Sequence, residues 1–231
     1  IFQNAKGFQV TLLNGTKAVL VNLNSWTLLN LPIDEVLAIP NNLATQYSIN
    51  ITDVSNAIAN YTVQNMGYHD ILSKYLPDIT ETPVSIASST RHYSWPKGAA
   101  ILGIGASNMW SIHVDLKARM DLTKLDNVLS YCVSKKVPVM NVVAVIGTTE
   151  ESQVDPLKDI LALRNKYRQQ GLEFAIHAVA AWGGYYKTML NSNDDSNPVY
   201  FKLMNEDAIV ALPMSNYVTE QYKVLQLSDS I

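Results

Sequence analysis

Apolar and polar positions change their rhythm near Pro83. Before it, Lys17 to Leu31 mixes the two without a clear period. Ile39-Pro40-Asn41-Asn42 reads as a turn cluster, and Thr52-Asp53 offers an N-cap to a helical stretch running to about Asn65. After Pro83, short apolar runs alternate with helical patterns. Val84 to Ala87 is strand-like, Trp95 to Ile104 helical, Met109 to Val114 strand-like, and Leu122 to Lys135 helical. Val137 to Ile146 is a near-continuous apolar strand. Asp155-Pro156 then supplies an N-cap and a proline at the first helical position. Leu157, Ile160 and Leu161 make one apolar face, and Gly171 can provide a left-handed stop before Leu172 to Val179 returns as a buried strand. This alternation predicts an α/β fold, a mostly parallel sheet with helices on both faces.

Composition narrows the partners. With 231 residues, 48% hydrophobic and 16% charged, the chain can bury a substantial core. The net charge is −3, and no basic run exceeds the pair Lys135-Lys136. A nucleic-acid groove or an anionic membrane patch therefore has no electrostatic basis, and small molecules or protein surfaces are the expected partners. The single cysteine, Cys132, cannot form an intrachain disulfide, and no apolar run approaches the roughly 18 residues of a membrane span. The expectation is a soluble, cytoplasmic protein. Asn14, Asn50 and Asn60 head Asn-x-Ser/Thr triplets at about the frequency chance supplies in a chain rich in these residues. The sequence opens at Ile1 with no signal-like segment, and it is expected to start inside a longer gene product.

In a parallel sheet the ligand lies beyond the carboxyl ends of the strands. Two loops qualify, Gly147-Thr148-Thr149 and the stretch HAVAAWGG from His177 to Gly184, and both fall at the same edge of consecutive strands. Other candidates have plainer readings. Cys132 lies mid-helix in LSYCVSKK as a small core residue. His69 and His113 lack a second ligand at metal spacing, so no metal site is expected. GIGAS at 103–107 follows a helical pattern and reads as a helix-ending turn. Trp182, Tyr185 and Tyr186 read as packing or subunit contact.

The string VVAVIGTTEESQVDPLKDILALRNKYRQQGLEFAIHAVAAWGGYY, with STRHYSWPKGAAILGIG upstream, resembles the large domain of group II pyridoxal-phosphate (PLP)-dependent amino-acid decarboxylases, enzymes of fold type I. Within that family it is most similar to the microbial tyrosine-decarboxylase-like branch. The resemblance is strong from Pro83 to Lys187 and faint elsewhere. It implies that residues 83–231 are the core of a PLP-binding large domain and 1–82 a weakly matching N-terminal part of one incomplete domain. By the same resemblance His92 stacks on the cofactor ring and assists at the carbon that loses CO2, and Ser94 sits in the adjacent turn. Thr149 and Asp155 match polar positions near the ring, Ala181 matches the small residue on its other face, and His177 heads the family's His-x-Asp-Ala-Ala motif. A homodimer with the site at its interface is implied as well.

Two departures stand out. Where the family has an aspartate paired with the pyridinium nitrogen, this chain has Val179. PLP works as an electron sink, and a buried carboxylate keeps its ring nitrogen protonated. Losing one member of a buried charge pair costs about 3 to 5 kcal/mol. Part of that cost expressed in the transition state lowers the rate by roughly two to three powers of ten. The second departure is that the Schiff-base lysine is expected just after Ile231, and the glycine-rich phosphate loop before Ile1. Lys97 and Lys187 read as solvent-exposed helix lysines rather than substitutes for it. The resemblance thus implies a central part of an aromatic-amino-acid decarboxylase, tyrosine being the first substrate expected, inactive as this chain alone. The alternative is a non-catalytic homologue acting as a structural or regulatory partner.

Overall fold

The structure, a computed structural model, describes residues 3–190, 200–202, 209–211 and 214–231. The N-terminal part opens with a hairpin, β1 (Gln9–Thr11) and β2 (Lys17–Val19). Its turn is closed by the Leu12 amide on the Thr16 carbonyl (2.8 Å) and by the Thr16 amide on Asn14 Oδ1 (3.0 Å). Helices α1 (Ser25–Leu29), α2 (Ile33–Tyr47), α3 (Ile51–Ile58), α4 (Val63–Met66) and α5 (Tyr68–Tyr75) follow. Phe8, Val10, Leu31, Leu43, Ile49 and Val54 form a separate small core here.

Two expectations for this part are corrected. The turn at Ile39 to Asn42 is instead the middle of α2, with Pro40 inside the helix. Proline in a helix costs about 3 kcal/mol. Buried Leu43 and partly buried Ile39 pack against the small core, each contributing about 1.5–3 kcal/mol, and the carbonyl that Pro40 leaves unpaired belongs to exposed Val36. The helix from Thr52-Asp53 to Asn65 is in fact broken. Asn50 is the cap, its side chain accepting from the Thr52 amide at 2.8 Å, and α3 ends at Ile58. Thr62 then turns extended and caps α4.

From Pro83 onward the alternation holds. Strands β3 (Val84–Ser88), β4 (Met109–Ile112), β5 (Val139–Val145) and β6 (Ala175–Val179) form one fully parallel sheet in the order β4-β3-β5-β6. Helix α6 (Ser94–Ile101) packs on one face, where Ala87, Ala99, Met109 and Val143 meet Trp95, Ile104 and Val179. Helices α7 (Leu122–Lys135) and α8 (Leu157–Arg168) pack on the other, over Ile86, Ile112, Val142, Ala144 and Ile176. The α7 sequence explains its place. Asp121 caps the Thr123 and Lys124 amides, Leu125, Leu129 and Cys132 fall on one stripe with no exposure, and Lys136 stops the helix in the left-handed region.

The strands are shorter than the apolar runs, because the run ends serve as loop anchors. Val114 leaves β4 and bridges Met120, and Ile146 bridges Val154. Similarly, α6 ends at Ile101, where Gly103 adopts a positive φ. The start of α8 differs from expectation as well. Pro156 is the capping residue and Asp155 caps nothing; the Lys158 amide is taken by Gln221 Oε1 (2.9 Å) from helix α9. That element spans Asn216–Lys223, after a small antiparallel ribbon of β7 (Tyr200–Lys202) and β8 (Ile209–Ala211). Finally, Asp229 and Ser230 run along the outer edge of β6. The Asp229 amide donates to the Ile176 carbonyl and the Ala178 amide to the Ser230 carbonyl, both at 2.9 Å.

Candidate active site

Because all four strands run the same way, the residues that leave their carboxyl ends share one edge. The loop after β3 carries Arg91 and His92, with Ser94 opening α6; the loop after β5 carries Thr148 and Thr149; the loop after β6 carries Ala181 and Trp182. His92, Ser94, Thr149 and Ala181 are exposed there, whereas Thr148 is buried.

His92 is oriented locally. Its Nδ1 lies 2.8 Å from Ser94 Oγ and 3.3 Å from the Ser94 amide. An amide can only donate, so Nδ1 accepts, and the proton of the neutral ring resides on Nε2, away from Ser94. His177 and Val179 point to the α6 face, alternating with buried Ile176 and Ala178 on the other. The His177 ring sits 5.5 Å from that of Trp95, joining β6 to the start of α6, and its Nδ1 meets Ser230 Oγ at 2.8 Å. Burial lowers the His177 pKa below the usual histidine value.

Asp155 stands apart from this group. It is 1% exposed, and its two carboxylate oxygens accept the Met120 amide at 2.7 Å and the Val145 amide at 2.8 Å. The Ile146 amide donates to the Val179 carbonyl, so the Val145 amide one residue earlier points to the opposite side of β5. Asp155 is therefore separated from Val179 by a strand. It ties β5 to the entry of α7, and desolvation holds its pKa up at about 6 despite the two amides. Local sequence suggested a cap; only long-range geometry could reveal this use.

The β5 and β6 loops are pressed together by glycine. A Cβ on Gly183 would stand 1.9 Å from the Ile146 carbonyl oxygen, and the Tyr222 hydroxyl donates to the Gly183 carbonyl. Beside this contact lies a cavity of about 310 Å3, lined by Thr148, Thr149, Trp182, Tyr186, Val218 and Tyr222. Sequence reading missed Tyr222 and Arg91. The Arg91 guanidinium bonds Ser111 Oγ and the Ser88 carbonyl, and among the described residues it meets no carboxylate. Of the two lysines weighed for a nucleophilic role, Lys97 lies over the Tyr93 ring at 4.6 Å and Lys187 bonds the Tyr222 carbonyl at 3.0 Å.

His92 and the small Ala181 leave this edge exposed, and Val179 offers no polar atom to any group that would lie against it.

The pyridoxal-dependent decarboxylase conserved domain matches residues 50–190. The chain is 33% identical over 168 residues to an L-tyrosine decarboxylase of Enterococcus faecium, covering 73% of this chain and 25% of that protein. It is 30% identical over 206 residues to the L-tyrosine decarboxylase of Levilactobacillus brevis, covering 89% and 30%. Among solved structures, mouse CSAD in apo form aligns with a TM-score of 0.41 at 29% identity, covering 57% of this chain and 26% of that one. The chain belongs to the pyridoxal-dependent decarboxylase family, whose cofactor is pyridoxal phosphate. It spans between a quarter and a third of the length of these tyrosine decarboxylases.

Proposed function

We propose that this chain is the central part of a PLP-dependent amino-acid decarboxylase acting on an aromatic substrate, tyrosine first, and releasing CO2 and an amine. Residues 83–231 are the core of its PLP-binding large domain, residues 1–82 are the N-terminal part of the same unit, and the working form is a cytoplasmic homodimer. The observation that carries this reading is that His92, Thr149 and Ala181 leave three neighbouring parallel strands at one exposed edge. PLP, when bound, supplies the electron sink that decarboxylation needs. The chain's own residues bind and orient. His92, fixed through Ser94, would cover one ring face, and Ala181 would leave room on the other. Thr149 offers a hydroxyl at the rim, and Trp95 with His177 walls the α6 side.

Val179 favours a second reading, a homologue that keeps the fold and acts without turnover. A pair of measurements separates them. In the full-length decarboxylase of which this chain is the proposed central part, PLP is titrated against tryptophan fluorescence, and CO2 release is followed from tyrosine and from an acidic amino acid. Saturable binding weakened about tenfold or more by His92→Ala, with CO2 released from tyrosine in preference, supports the enzyme reading. CO2 released from neither substrate supports the second, with or without PLP binding, and absence of binding overturns the enzyme reading.

A further inference from the structure

Resting on the cofactor reading above, we propose that this site takes its cofactor ring with the nitrogen uncharged, its wall at Val179 selecting a neutral nitrogen, or a carbon in that place, over a pyridinium. Three observations carry it. Val179 belongs to an apolar cluster with Trp95, Ile104, Ala87, Ala99, Met109 and Val143, so a cation placed against it would exchange water for hydrocarbon. Secondly, neither the four strands of the sheet nor α6 carries a single acidic residue. The acids at this edge are Asp155, whose oxygens are committed to Met120 and Val145 behind β5; Asp115 and Asp121 on the β4 loop, which accept the Lys117 and Arg119 amides and the Thr123 and Lys124 amides; and Glu150 and Glu151, both exposed on the β5 loop. Thirdly, the ionisable groups on the α6 side are basic: Arg91 and His92 in the β3 loop, Lys97 on α6 and His177 on β6. Arg91 lacks an acidic partner among the described residues, so its charge adds to the potential that opposes a second cation. The lowered pKa of His177 points the same way, since the surroundings already disfavour its protonated form.

The consequence is a cofactor whose ring nitrogen contributes nothing to affinity. The test compares PLP with its 1-deaza analogue, in which carbon replaces the ring nitrogen, by tryptophan fluorescence titration of the full-length decarboxylase of which this chain is the proposed central part and of its Val179→Asp variant. The unsubstituted protein is expected to bind the two compounds within about threefold of one another. Val179→Asp is expected to prefer PLP by about tenfold or more, because its carboxylate can pair with a pyridinium. The first comparison needs no variant, and Val179→Asn serves as a variant without charge, expected to show no such preference. A tenfold preference for PLP in the unsubstituted protein overturns the proposal and points to Glu150 or Glu151 as the nitrogen's partner. Equal binding of both compounds by Val179→Asp also overturns it, since the nitrogen then does not lie at position 179. Failure of either compound to bind any of the three proteins removes the cofactor reading itself, and the inference with it.

Discussion

Gly147 and Gly183 stand back to back at the end of β5 and β6. A Cβ on Gly147 would lie 2.9 Å from the Gly183 Cα, and Gly147 holds a φ of +95° that disfavours any side chain. The contact brings the two site loops together, and neither backbone can retreat without breaking the sheet edge. Gly183→Ala is expected to cost about 2 to 4 kcal/mol, because a methyl group there must displace the Ile146 carbonyl. A urea denaturation midpoint measures the loss. Gly184→Ala, whose added Cβ would meet only the Ala180 side chain at 3.2 Å, is expected to cost distinctly less.

The buried carboxylate of Asp155 makes stability depend on pH. Its folded pKa is raised to about 6 from an ordinary value of 3.8. Its contribution is therefore fully present below about pH 4 and is lost as pH rises through 6, when a charge must be kept in the interior. The drop is expected to reach up to about 3 kcal/mol. Asp155→Asn should abolish this dependence while losing about 1–3 kcal/mol at low pH, since one oxygen cannot serve both the Met120 and Val145 amides. Unfolding curves of both proteins between pH 4 and 7 provide the check; parallel curves would contradict the assignment.

Cys132 has no exposure, and burial pushes its thiol up to about 12. In the folded protein it is expected to resist a disulfide reagent such as Ellman's over hours and to react at once in denaturant. Rapid stoichiometric labelling of the native protein would show that α7 opens readily.

Arg164, nearly buried on α8, pairs with Asp229, and the same carboxylate oxygen accepts the Ile176 amide at 2.6 Å. Asp229→Ala is expected to cost about 2 to 4 kcal/mol, since it strands a buried cation. Pairing it with Arg164→Met should recover part of that loss. Thermal unfolding of the two single variants and the double one measures the coupling.

Much of the sheet was legible in the chain because parallel strands are apolar on both faces, and α7 was legible from about Leu122 to Lys135 because its apolar stripe lies within one segment. What escaped was decided across distance. Pro40 signals a turn locally, yet α2 continues because Leu43 has a core to fill. Asp155 beside Pro156 has the form of a cap, yet Gln221, far along the chain, performs that service and frees the carboxylate for two amides elsewhere. The site motifs could be located, but the closure of their loops depends on Tyr222 and Gly183, whose meeting no local pattern announces.

The order β4-β3-β5-β6 also carries a consequence for synthesis. The first strand of the sheet to be made, β3, is an interior strand flanked by β4 and β5. A chain leaving the ribosome therefore holds Val84–Ser88 with one side unsatisfied until Val139–Val145 has emerged, a wait of a few seconds at ordinary elongation rates. During that interval the strand is a template for any extended neighbour. The polar loop 89–93 and the capped helix α7 that arrive in between are the parts able to keep the nascent segment soluble until its partner comes.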